Sequence, residues 1–454
     1  MAKPSRLIVI SDLHLGGESP TMMSQPKRLA AFIARLPELA SADETLDLVI
    51  AGDFIDFLSV PPWRPWTTTA AEALAKLARV VGEPGSDAGF APIFDALRAH
   101  VEGGHRLTVM IGNHDLELTM PPVQDALLRR IGADLHQVLF LMDGRAYRVG
   151  GALIEHGNRY DDANANDFTH LRALASFLSR GETPTKIAGV AVSTGSQLVS
   201  RVVNPLKRAY PFVDLLKPEG ELLAYLVFAL EPGLVKTNIG DFKLLFDAQR
   251  KAAANVEGKP PGTTDNVAGS LAVVDEELRA TFPELYEAIR THTDDVGFGD
   301  LFSGFFDSVL GDSLSELVRR SEAIPPKRLA KIRVSLRRLL AGDRSFDRAG
   351  PDGPYGAAAA RLRHDPAVQT VVMGHTHLAR HVGPAEKATY INTGTWADLV
   401  TVPAAVLADG ADAALEAFLV NLVKDQGVRS FVPTYADLRV EVDGTVARAA
   451  LRDA

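Results

Sequence analysis

Five times along this chain a short apolar run, rich in β-branched residues, ends abruptly in a cluster of Gly, Asp, Asn or His, and this recurrence constrains the fold most. Leu7 to Ile10 stops at Ser11-Asp12-Leu13-His14, Leu46 to Ala51 at Gly52-Asp53, and Leu107 to Ile111 at Gly112-Asn113-His114-Asp115. Ala152 to Glu155 stops at His156-Gly157-Asn158, and Val368 to Met373 at Gly374-His375-Thr376-His377. Such runs read as buried strands. Helical periodicity over Pro26 to Leu39 and Ala70 to Val81 lies between the early runs, so strands and helices alternate as in an α/β sheet. Ligands of open α/β sheets bind beyond the carboxyl ends of the strands. The five polar clusters are therefore expected to converge.

Between about Asn164 and Asp347 the pattern changes to long helical stretches, broken at Pro205, Pro218, Pro232, residues 258–266 and Pro325-Pro326. This predicts a helical insertion or cap at 164–347, interrupting an α/β domain made of residues 1–163 and 348–454. Leu438 to Ala449 alternates around Asp443-Gly444 and predicts a hairpin with a type I′ turn.

Composition narrows the chemistry. There is no cysteine, so thiolate ligands, disulfides and thiol nucleophiles are excluded, and metal ligands must come from His, Asp, Glu and Asn. A net charge of −9 gives no long-range attraction for nucleic acid, which argues against it as a partner. Met1 to Arg6 runs straight into Leu7 to Ile10 and Asp12, leaving no room for a signal-peptide hydrophobic region, so a cytoplasmic location is expected. The apolar run Leu222 to Leu230 is too short to span a bilayer, which needs about 20 residues. It reads as packing within the insertion rather than an acyl-binding lid. The basic stretch Lys327, Arg328, Lys331, Arg333, Arg337 and Arg338 reads as a solvated helix face, with peripheral membrane contact as its other reading.

Within the clusters, Asp12 and His14 are two apart in a segment expected to be nearly extended, which would point both side chains to one side for a shared cation. The carboxylate of Gly52-Asp53 has two oxygens able to bridge two cations. The two imidazoles of Gly374-His375-Thr376-His377 can reach different metals from one tight loop.

Together these clusters resemble, in order and form, the calcineurin-like metallophosphoesterase family, over roughly Leu7 to Asp161 and Gln369 to Trp396. The resemblance implies a four-layer α/β/β/α sandwich of two mixed β-sheets with two divalent cations at the strand ends: Mn²⁺, Zn²⁺ or Fe²⁺, with Mn²⁺ preferred. By position, Asp12, His14 and His377 would hold one cation, Asn113, His156 and His375 the other, and Asp53 would bridge them. His114 would bind the phosphoryl group and help the leaving oxygen depart, with Asp115 orienting its imidazole. Purple acid phosphatases of the same superfamily carry a Tyr ligand three positions after the bridging Asp; here that position is Asp56, so an Fe(III)–Tyr centre is not expected. Lipid A precursor hydrolases share Ser11-Asp12-Leu13-His14 and a helical insertion but typically have Arg in place of His114.

Paired cations about 3.5 to 4 Å apart suit in-line phosphoryl transfer, with a bridging water as nucleophile. The expectation is a hydrolase of a small-molecule phosphomonoester or phosphodiester. A non-catalytic scaffold of the same fold and a nuclease are the alternatives. Trp63 and Trp66 read as part of a packed loop, and Asn392 to Trp396 as structural. Asn158, Arg159 and Asp161 read equally as groups beside the site and as solvated loop residues.

Overall fold

The computed structural model describes residues 3–67, 69–161, 163–182, 192–208, 210–217, 314–340, 346–350 and 352–454. Each of the five apolar runs is a strand: β1 (Ser5–Ile10), β2 (Thr45–Ala51), β3 (Arg106–Met110), β6 (Ala152–Ile154) and β7 (Thr370–Met373), with β4 (Val138–Leu141) and β5 (Tyr147–Val149) between them. After β7 come β8 (Arg380–Val382), β9 (Tyr390–Asn392), β10 (Leu399–Val400), β11 (Arg429–Ser430), β12 (Thr434–Val440) and β13 (Val446–Asp453). One mixed sheet has the order β13-β12-β1-β2-β3-β4, with β1 to β4 parallel. The other has the order β5-β6-β7-β9-β8, with β6, β7 and β9 parallel. β10 and β11 form a separate pair.

The continuous apolar runs follow from burial of both strand faces. Period-two alternation sends Ile8, Ile10, Leu48, Ile50, Leu107 and Val109 into one core with Leu29, Phe32, Leu77, Phe94 and Leu127 from the helices. Leu7, Val9, Val49 and Ala51 go instead into a core shared with Ile154, Val372 and Ile391 of the second sheet. Behind that sheet, Leu153, Val371 and Met373 meet Ala358 and Ala359 of helix Gly353–Leu362. Each such Leu, Ile or Val contributes about 1.5–3 kcal/mol. The result is a mixed α/β fold of two facing sheets with an additional helical region.

Local signals set the element ends. Thr69 caps helix Ala70–Val81 by accepting from Glu72 N (3.3 Å), as expected for a Thr followed three residues later by Glu. The stretch from Pro26 is α-helical only to Arg35; Leu36–Leu39 is a 3₁₀ turn, because Pro37 has no N–H to continue the helix.

The C-terminal hairpin forms between β12 and β13, but not through a type I′ turn. That turn needs positive φ at both central residues, and of this pair only Gly444 has it (89°). Asp443 instead accepts from Thr445 N (2.9 Å), while Gly444 N donates to Glu441 O (2.9 Å), making a longer turn closed by a left-handed glycine.

Between 164 and 347 the described elements are helical. Phe168–Leu178 buries Phe168 and Leu171 in the core of the first sheet. Pro205 and Pro326 occupy the first turns of Asn204–Lys207 and Pro326–Leu339, where a missing N–H costs nothing. Arg333 pairs with Asp412, and Arg337 with Asp409 and Leu407 O, so these two basic side chains face the C-terminal helical region. The stretch 222–230 and the breaks at 218, 232 and 258–266 lie outside the described residues. Among the described residues no helix is long and apolar enough to cross a membrane.

Candidate metal centre

All five polar clusters follow the carboxyl ends of their strands and meet at one place. The loops after β1 and β2 stay hydrogen-bonded beyond the sheet: Asp12 N to Gly52 O (3.2 Å), Leu13 N and His14 N to Asp53 O (2.9 and 3.0 Å). This pairing bends the backbone. Of seven non-glycine residues with positive φ among the described residues, five are Asp12 (54°), His14 (45°), Asp53 (49°), His375 (71°) and His377 (60°). Left-handed backbone costs about 1–3 kcal/mol per residue and persists where the surroundings over-determine it. Asp12 and His14 are thus brought together by a strained loop, not by the extended segment expected from their spacing.

Two glycines make the approach possible. A Cβ on Gly52 would lie 2.4 Å from His156 Nδ1, and one on Gly112 would lie 2.1 Å from Asp53 Oδ1. Any other residue would push these loops apart.

Among the described residues, three groups have one donor atom per residue within 4.8 Å of one another: Asp12, His14 and His377; Asp53, His156 and His375; and His14, Asp53 and His114. The first two sets share no residue, and Asp53 lies between them. Its Oδ1 is taken by His114 N (2.9 Å), while its Oδ2 lies 3.7 Å from His14 Nε2 and 3.3 Å from His156 Nε2. His14 Nε2 and His377 Nε2 face each other at 2.9 Å, and His377 Nε2 is 3.5 Å from Asp12 Oδ1. The site passes the simplest test for a cation. Buried polar atoms are normally paired, yet Asn113 Oδ1 and His156 Nε2 are buried without a hydrogen-bond partner. His156 Nδ1 donates to Ala51 O (2.8 Å), which holds the ring so that Nε2 is the nitrogen turned toward the site and would be the one offered to a cation.

The clustered groups shift one another. Burial alone would raise Asp53, but His156, His114 and His14 hold it well below the usual carboxylate range. Burial and the nearby Asp53 push Asp12 up. Burial, Lys217 and His14 push His377 well below the usual imidazole range.

His114 does not pair with Asp115, contrary to expectation. Both Asp115 oxygens are used by backbone, Gly112 N (2.7 Å) and Phe54 N (2.9 Å), so this carboxylate ties the loop after β3 to the loop after β2. Burial and Asp53 raise it to about 7. The partner of His114 Nδ1 is Asp56 Oδ1, at 3.0 Å. Burial opposes protonation of His114, but Asp56 and Asp53 outweigh it and lift the imidazole to about 9. The sequence carried a signal for Asp56: a second acid three positions after Asp53.

The residues weighed equally above now separate. Asp161 Oδ2 lies 3.0 Å from His375 Nε2, and this contact outweighs burial to hold Asp161 below its usual range. Arg159 pairs with Glu155 (3.1 Å) and Asn158 with Asn164 O (2.9 Å). Thr395 Oγ1 (2.8 Å) and Trp396 N (3.2 Å) donate to Asp12 O, bracing that loop. Trp63 Nε1 donates to Ser59 O (3.2 Å) beneath the Arg208 guanidinium, and Trp66 is buried.

The family model for calcineurin-like phosphoesterase matches residues 5–193, which contain four of the five clusters. No curated protein and no solved structure matches the chain.

Proposed function

We propose, from the match of residues 5–193 to the calcineurin-like phosphoesterase family model, that the chain is a two-cation hydrolase of a phosphomonoester or phosphodiester. One observation carries the reading: Asp53 Oδ2 lies within 3.7 Å of His14 Nε2 and 3.3 Å of His156 Nε2, so one oxygen serves two ligand sets. Asp12, His14 and His377 would hold one cation and Asn113, His156 and His375 the other, with Asp53 between them. Bound cations of this kind lower the pKa of a water and neutralise charge on the transferred phosphoryl group.

The chain's own residues supply the rest. Asp56 fixes His114 through Nδ1, leaving Nε2 to donate a proton to the leaving oxygen as its bond to phosphorus breaks. The His114 side chain is 15% exposed whereas those of His14, Asp53 and His156 are 1–2% exposed, which suits a group that meets substrate. Asp115 is a brace. The intact ligand set argues against the scaffold alternative, and the net charge of −9 against a nuclease. The helical region is read as a cap that selects the ester. Mn²⁺ is the preferred cation, with Zn²⁺ and Fe²⁺ as the others.

Metal-stripped protein reconstituted separately with Mn²⁺, Zn²⁺ and Fe²⁺ tests this on p-nitrophenyl phosphate and bis(p-nitrophenyl) phosphate. Turnover should require metal, disappear in Asp53→Ala, and place one labelled solvent oxygen in the phosphate product. Two bound cations with no hydrolysis of any phosphoester would leave the scaffold as the function.

A further inference from the structure

Asn204 and Lys207 sit on the loop that follows β2, and Leu215 to Lys217 run along Val400 of β10. Asn204 Nδ2 donates to Leu58 O (2.8 Å) at one end. Val400 N donates to Leu215 O (2.7 Å) and accepts Lys217 N at its carbonyl (3.2 Å) at the other. Tyr210, Phe212, Leu215 and Leu216 are buried between these anchors. Lys207 is thereby brought to Ser59, Nζ to Oγ 3.0 Å, and it also pairs with Asp214. Ser59 Oγ lies 2.5 Å from Asp56 Oδ2, and Asp56 Oδ1 holds His114.

Donor and acceptor rules give this chain one direction. An ammonium only donates, so Lys207 occupies a lone pair of Ser59 Oγ. The single hydroxyl proton of Ser59 is then directed to Asp56, whose ionised carboxylate only accepts. Ser59 N adds a second bond to Asp56 Oδ1 (3.1 Å). Ser59 and Asp56 are buried, which stiffens their part of the network, and the network ends on an imidazole.

We propose that Lys207 is a positioning residue for His114, fixing it through Ser59 and Asp56 for proton delivery to the leaving group. The insertion thereby becomes part of the leaving-group machinery as well as a cover. This inference rests on the phosphoesterase reading above.

The test compares metal-loaded wild type, Lys207→Met, Lys207→Arg, Ser59→Ala and Asp214→Asn on two esters of the type that wild type hydrolyses. One carries p-nitrophenolate, which departs with little help; the other carries an alkoxide, which needs a proton. Lys207→Met should lower kcat on the alkyl ester about tenfold more than on the aryl ester, at unchanged KM and metal content. Ser59→Ala should do the same, the double variant should be no worse than either, and Lys207→Arg should restore the ratio. Asp214→Asn removes the Lys207–Asp214 pair and should leave the ratio alone. Equal losses on both esters, or the selective loss appearing in Asp214→Asn, would overturn the role of Lys207 while the phosphoesterase reading stands. A metal-loaded wild type that hydrolyses neither ester would overturn that reading and this inference with it.

Discussion

His114 Nδ1 lies 3.0 Å from Asp56 Oδ1, joining the loop after β3 to the loop after β2 across 58 residues of sequence. Asp115, the covalent neighbour of His114, spends its carboxylate on Gly112 N and Phe54 N instead. The two acids should therefore fail differently when replaced. Asp56→Asn is expected to lower kcat about 10- to 100-fold at full metal occupancy. Asp115→Asn sets an amide N–H against a buried backbone N–H and should cost about 1–3 kcal/mol of stability, read from urea midpoints. The reverse ranking would return Asp115 to the role expected from sequence.

Gly112→Ala tests the close approach at the centre of the site. The new methyl would lie 2.1 Å from Asp53 Oδ1 and 2.5 Å from Asp53 N, and the backbone atom cannot swing aside. Destabilisation of about 3 kcal/mol and a loss of bound metal should follow, measured by thermal unfolding and elemental analysis. Wild-type metal content and stability would refute the packing argument.

Asp161 sits behind His375, at 3.0 Å from its Nε2. Carboxylates placed this way orient a ligating imidazole, so Asp161→Asn should weaken affinity for one cation about 10- to 100-fold. Calorimetric titration of the stripped protein reads this directly. Unchanged affinity for both cations would reduce Asp161 to a loop brace.

His100 makes a pH prediction away from the metal centre. Burial pushes this imidazole down to about 4, although Arg106 O accepts from its Nε2 at 2.9 Å. In the unfolded chain it titrates near its ordinary value of about 6.5. The unfolded state thus binds the proton more readily, and the stability tied to the neutral form is complete above about 6.5. It is lost as pH falls from there to about 4, amounting to about 3 kcal/mol. In metal-free protein, His100→Gln should show a correspondingly smaller drop in urea midpoint between pH 7 and pH 4.5. An equal drop in both proteins would assign the acid sensitivity elsewhere.

The sequence by itself determined where the site's residues stand along the chain. Leu7 to Ile10, Leu46 to Ala51 and Val368 to Met373 read as buried strands, and a buried strand ends where Asp12, Gly52-Asp53 or Gly374-His375 begins. That logic is local, and it brought Asp12, His14, Asp53, Asn113, His156, His375 and His377 to strand ends. The turn at Asp443-Gly444 escaped the same logic, because an Asp side chain that accepts from Thr445 N stabilises ordinary backbone as readily as Asp-Gly favours the left-handed pair. Only the tertiary structure decided how the site's groups face one another. Asp12 and His14 adopt left-handed backbone because their N–H groups must reach Gly52 O and Asp53 O on a neighbouring loop, and spacing alone cannot report that demand. His114 had Asp115 beside it and Asp56 far upstream. The parallel pairing of β2 with β3 chose between them, since it sets two strand ends side by side and leaves the adjacent carboxylate to satisfy the backbone that joins them.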